Sequence, residues 1–133
     1  MFGLLKRKKT KVELTESQLK WNRMWELWTE GKVESPIGEL MTYQSEINNG
    51  GHSQYFFNTG NIDDLQMNLV NILSILQKEL KDNLESAYKS YMALEQNEDN
   101  EEAEKILEKC DDVFYENEHK IIRILEQYSE KNM

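Results

Sequence analysis

An all-α fold follows from three features of the sequence. Apolar residues recur at i, i+3, i+4 and i+7 along most of its length, which is the spacing of one helix face. No stretch alternates apolar and polar residues with the period of two that a half-buried strand requires. One proline and six glycines in 133 residues leave little material for a turn-rich β fold. The expectation is a single compact multi-helix domain of six or seven helices. They are joined by short connections, packed around residues 65–76, and include a double-glycine corner. The domain occupies residues 13–133. Residues 1–12 form a basic, disordered tail.

Each element has its own signals. Thr15-Glu16-Ser17-Gln18 reads as a capping box, in which the first residue's hydroxyl and the fourth residue's amide satisfy each other's backbone N–H. Trp21, Met24, Trp25 and Trp28 then fall on one face of the first helix, a core face, and Gly31 ends it. Ser35-Pro36 opens the second helix, whose inner face is Ile37, Leu40, Met41, Gln44 and Ile47. Asn48-Asn49-Gly50 reads as a helix ending. His52 or Ser53 caps a short aromatic helix that Gly60 closes.

Asn61–Asp64 caps the next helix. Leu65, Leu69, Ile72, Leu73 and Leu76 make its stripe, and Met67, Val70 and Ile75 widen it. A break is expected at 77–82, with Asp82 or Asn83 capping a restart that carries Leu84, Ala87, Tyr88, Tyr91 and Met92. A polar loop at 95–100 leads to a stripe of Ala103, Ile106, Leu107, Cys110, Val113 and Phe114. Asn117 or Glu118 marks another break. Ile121, Ile122, Leu125 and Tyr128 form the last stripe.

The compositional exception lies at residues 46–60. It holds three of the six glycines and three of the ten phenylalanines and tyrosines. Its pattern, Glu46-x-x-Asn49-Gly50-Gly51-x-x-Gln54-Tyr55-Phe56-x-Asn58, resembles the signature of a small bacterial all-helical family. That family is named for a DNA-mimic protein, and many members are catalogued only as a domain of unknown function. Asp111-Asp112-x-Phe114-Tyr115, followed by a helix ending in Leu125-x-x-Tyr128, is similar to the family's closing segment. The resemblance implies an all-helical fold, a DNA-mimic role and homodimerisation. The motif residues Glu46, Asn49, Gly50, Gly51, Gln54, Tyr55, Phe56 and Asn58 are read as structural. Gln54 and Asn58, four apart, share one helix face.

Charge points the same way. The net charge is −9, and it is unevenly distributed. Lys6, Arg7, Lys8, Lys9 and Lys11 stand in the first twelve residues without an acid, leaving 11 basic against 25 acidic residues, net −14, in the remainder. Such a body repels nucleic acid and anionic lipid and attracts basic proteins. The densest run carries Glu95, Glu98, Asp99, Glu101, Glu102, Glu104, Glu108, Asp111, Asp112, Glu116 and Glu118 against Lys105 and Lys109 alone. Carboxylates three or four apart on a helix are neighbours and make a row of negative charge. The alternative to a partner surface is a solvated helix face.

Catalytic and metal-binding chemistry finds little support. The imidazoles are His52 and His119. Glu116-x-x-His119 has the spacing of a di-iron ligand pair but lacks a second such pair. Cys110 sits on an apolar stripe and reads as a small core residue. It is the one cysteine, so it forms no intramolecular disulfide, and a reducing cytoplasm suits it. Gly50-Gly51 lacks the following Gly-Lys-Ser/Thr and the preceding strand of a phosphate loop. Met1-Phe2-Gly3-Leu4-Leu5 is too short to span a bilayer.

The expected function is therefore an acidic protein-interaction module, not an enzyme, with no cofactor and no metal. In the DNA-mimic form it occupies the DNA-binding surface of a basic partner such as a transcription regulator. The alternatives are an immunity-type neutraliser of a bacterial toxin or enzyme, and a ligand site at Glu46, His52, Gln54 and Asn58.

Overall fold

A computed structural model describes residues 13–60 and 65–133. The basic segment 1–12 and the Asn61–Asp64 cap lie outside the described residues. Five helices and no strand are present among those described: α1 (Glu16–Thr29), α2 (Ile37–Gly60), α3 (Leu65–Leu73), α4 (Lys78–Gln96) and α5 (Glu101–Asn132).

The start of α1 is the expected capping box. Gln18 N donates to Thr15 Oγ1 at 3.1 Å, and Thr15 N donates to Gln18 Oε1 at 2.8 Å. The helix stops where Gly31 takes φ of 70°, a left-handed conformation open to glycine without a Cβ clash. The Ser35-Pro36 peptide is cis, and α2 begins just after it. At the start of α5, Asn100 Oδ1 accepts from Ala103 N at 3.0 Å.

Among the described residues five helices stand where six or seven were expected. The residues expected to break helices spend their polar groups inside them. Asp82 pairs with Lys78 one turn back at 2.6 Å, and Asn83 donates to the Cys110 carbonyl of α5 at 2.8 Å. The break before α4 therefore falls earlier, between Leu73 and Lys78. Asn117 donates to its own helix at Val113 O. Glu118 is drawn to α2, and α5 runs on for 32 residues. The short aromatic helix is counted within α2, although Gly50 and Gly51 are non-helical and form a kink between two helical segments. It is the second half of α2, which bends at Gly50 and Gly51.

The centre of the domain is also corrected. It is α5 rather than 65–76, because α5 packs on α1, α2 and α4. Its stripe of Leu107, Cys110, Phe114, Ile121 and Leu125 is buried throughout. Helix α3 gives Leu69 and Ile72 to the core, whereas Met67 and Val70 stand 62% and 63% exposed. The tryptophans Trp21, Trp25 and Trp28 are half-buried at the edge of the core rather than inside it, and Met24 on the same face is fully buried. Trp21–Trp25 and Trp25–Trp28 meet edge to face. Lys20 ties α1 to Glu130 of α5 at 3.6 Å.

A deletion contrast tests this centre. Phe114→Ala removes a wholly buried ring held between Tyr43 and His52 and is expected to cost about 3–5 kcal/mol. Val70→Ala on α3 should stay within about 0.5 kcal/mol. Urea unfolding of both variants is the measurement, and comparable losses would return the centre to α3.

Candidate functional site

The bend in α2 leaves two helix ends to be satisfied inside the protein. Carbonyls before the bend and amides after it lose their intrahelical partners, and an unpaired backbone group away from water costs about as much as a lost hydrogen bond. Gly51 adopts φ 77° and ψ −175°, a region that is essentially glycine's alone. A Cβ at that position would also lie 2.5 Å from Asp111 Oδ2. The glycine thus serves both the turn and the close approach of α5.

Helix α5 supplies the missing partners. Asp111 Oδ1 accepts from the His52 backbone N at 2.8 Å, the first amide after the bend. Tyr115 Oη donates to the Ile47 carbonyl before it at 2.8 Å. Glu118 Oε2 accepts from Asn48 Nδ2 at 2.6 Å and Gln44 Nε2 at 3.1 Å. Asp111, Tyr115 and Glu118 are spaced 0, 4 and 7, so one face of α5 serves the whole bend.

The same Asp111 oxygen lies 2.6 Å from His52 Nδ1, and Tyr43 Oη lies 2.6 Å from His52 Nε2. Tyr43 and His52 are both fully buried. Burial, reinforced by the charges near it, pushes the Tyr43 phenol well above its ordinary range. The phenol therefore keeps its proton and is able to donate to Nε2, an arrangement in which the imidazole proton sits on Nδ1, facing Asp111. In outline the three groups resemble an acid–base relay. With the Tyr43 hydroxyl and the imidazole sealed in the core, their present geometry locks the bend to α5.

The other motif residues divide by exposure. Glu46, before the bend, accepts from Asn58 Nδ2 at 2.5 Å and Gln54 Nε2 at 3.4 Å after it, bracing the two halves of α2. Tyr55 and Phe56 are buried, and their rings meet Tyr43, Tyr88 and Tyr91 at centroid distances of 5.0–5.7 Å. Phe57, next to them in the chain, is 63% exposed. Asn49 and Gly50 lie on the surface.

Nine of the eleven acids in 95–118 are exposed: Glu95, Glu98, Asp99, Glu101, Glu102, Glu104, Glu108, Asp112 and Glu116. Asp111 and Glu118 are half-buried and occupied by the bend. Glu116 and His119 are both exposed, and no group of three or more His, Cys, Asp and Glu residues that could hold a metal occurs among the described residues. Burial pushes the Cys110 thiol up. No described helix is long and apolar enough to cross a membrane.

The two stretches that meet here, 46–58 and 111–118, also fall inside one family match. The profile of the DMP19-like protein family covers residues 37–132. The chain belongs to the DMP19-like protein family. The match takes in α2 to α5, and with them both halves of the lock, and it leaves out α1 with its tryptophans. No curated protein and no solved structure matches this DMP19-like chain.

Sequence reasoning missed the union of His52 with Asp111. The residues are 59 apart, and no local period links them. A signal was present in the Asp111, Tyr115, Glu118 spacing, a polar line flanking the buried Phe114.

Three variants test the lock. Tyr43→Phe leaves Nε2 without its donor and should cost about 1–2 kcal/mol. Asp111→Ala strands two donors of His52 and should cost about 2–4 kcal/mol. Gly51→Ala adds both strain and the clash with Asp111 and should cost more than about 2 kcal/mol. Equilibrium unfolding at neutral pH measures all three. Three losses under 0.5 kcal/mol, by order of magnitude, would show that the bend stands without α5.

Proposed function

We propose that this chain is an acidic protein-interaction module, and that its exposed carboxylates occupy the DNA-binding surface of a basic partner such as a transcription regulator. The observation that carries the reading is the placement of carboxylates on α5. Glu104, Glu108, Asp112 and Glu116 follow one another at four-residue steps, about 6 Å of helix axis each. With Glu101 and Glu102 they put six exposed carboxylates on a rod of about 22 Å. One strand of duplex DNA presents a charge every ~3.4 Å of axis. The helix therefore approaches the charge density of one strand, diluted by Lys105 and Lys109 on the same outer face. Further acids at the α4–α5 connection, Glu95, Glu98 and Asp99, extend the field beyond the helix end. The family resemblance adds the DNA-mimic form to this electrostatic reading.

Capture on the immobilised chain tests the proposal. A lysate of the source organism is applied at low salt, and bound protein is eluted with short duplex DNA and then with high salt. The expected partner is a basic DNA-binding protein released by DNA. Its affinity should drop at least about tenfold between 50 and 500 mM salt, because exposed charges are screened within a few ångströms at high ionic strength. A specific partner that DNA cannot displace, or one held equally well at both salts, would overturn mimicry.

A further inference from the structure

The exposed carboxylates are not spread evenly over a convex surface. Three of them overhang a groove between the bend of α2 and the α4–α5 hairpin. Two neighbouring depressions share Ser53, Leu94 and Glu98. Leu94 and Leu107 supply the apolar lining of one, and Tyr91 lines the other. The rim of the first carries Glu98, Glu104 and Glu108, and its far wall is Ser53.

None of the three rim carboxylates takes part in an ion pair among the described residues. Lys105 and Lys109 each follow a rim residue by one position, so each is turned about 100° around the helix from that neighbour. At the back of the groove stands Asp111, whose Oδ1 is already held by His52. The wall behind the rim is thereby fixed to the locked bend.

We infer that this groove seats an arginine side chain from a basic segment of the partner. The inference rests on the acidic-interaction reading above and names its point of contact. An arginine has a three-carbon apolar stem and a planar guanidinium with five donors. The stem matches the Leu94–Leu107 floor, as long charged side chains cover apolar surface while their heads stay polar. The guanidinium matches carboxylates on two sides, which its fork can engage with paired hydrogen bonds. A lysine fills the same floor but brings a point charge without the fork, so it binds more weakly here.

The probe is a fluorescein-labelled peptide of six arginines, followed by anisotropy against the full chain, with a six-lysine peptide alongside. Ser53→Trp fills the groove without changing charge. A triple variant, Glu98→Gln with Glu104→Gln and Glu108→Gln, strips the rim. A control triple, Glu101→Gln with Glu102→Gln and Asp112→Asn, removes the same charge elsewhere on exposed positions. Circular dichroism confirms that each variant retains its helices.

The expected result is a loss of at least tenfold in arginine-peptide affinity for Ser53→Trp and for the rim triple. The control triple should lose less than threefold, and the lysine peptide should bind more weakly than the arginine peptide to the unaltered chain. Equal losses in both triples, or full binding by Ser53→Trp, would overturn the groove and leave a diffuse acidic field. The outcome is separable from that of the capture experiment. A peptide seated in the groove with no DNA-displaceable partner refutes mimicry alone. A DNA-displaceable partner alongside equal triples refutes the groove alone.

Discussion

A helix broken in the interior must find new partners for its free carbonyls and amides, and most of this architecture follows from where α2 finds them. Gly51 makes the break, and α5 repairs it with Tyr115 on one side and Asp111 on the other. Because the repair comes from a single rigid helix, the angle between the two halves of α2 is set by α5 rather than by the glycines. Beyond the break, Tyr55 is then delivered against Tyr43, and His52 against Phe114. A buried polar network of this kind is costly when partly satisfied and rigid when complete. Here the ring nitrogens of His52 each have a partner.

The same helix divides its acids between two roles. Asp111 and Glu118 face inward and hold α2, while Glu104, Glu108, Asp112 and Glu116 face out. Net charge alone does not distinguish them, although neutralising one set threatens the fold and neutralising the other leaves it intact. Any account of the acidic stretch in terms of a partner must therefore begin by setting Asp111 and Glu118 aside. The groove beside Ser53 lies where the two sets adjoin, with the structural carboxylate at its back and the exposed ones at its rim.

The helical class, the first cap and the buried stripe of α5 were legible in the sequence because each is a local signal. Thr15 and Gln18 are three residues apart, and Leu107, Cys110 and Phe114 recur at helical spacing. The helix count was not legible, because Asp82, Asn83, Asn117 and Glu118 have the composition of a break. Each instead finds a partner within the fold, and two of those bonds, from Asn83 and to Glu118, depend on where another helix lies. The exposure of Met67, Val70 and Phe57 was equally hidden. Periodicity gives the width of an apolar stripe but not how much of it a neighbour covers. At the site, the resemblance drew attention to both 46–58 and 111–115, yet only the folded chain joins them through His52 and Asp111.

The topology has a consequence for how the chain is made. Helix α1 leaves the ribosome first, but its ion-pair partner on α5 is Glu130. The bend in α2 likewise waits for residues 111–118. Before α5 is translated, Trp28 can reach Thr42 of α2, but Lys20 lacks Glu130 and the amide of His52 has no acceptor from Asp111. The native packing of the bend is therefore completed only once α5 is available. For a small helical protein that is a long interval with apolar surface uncovered, and the period of vulnerability to aggregation lasts as long as most of the chain takes to translate.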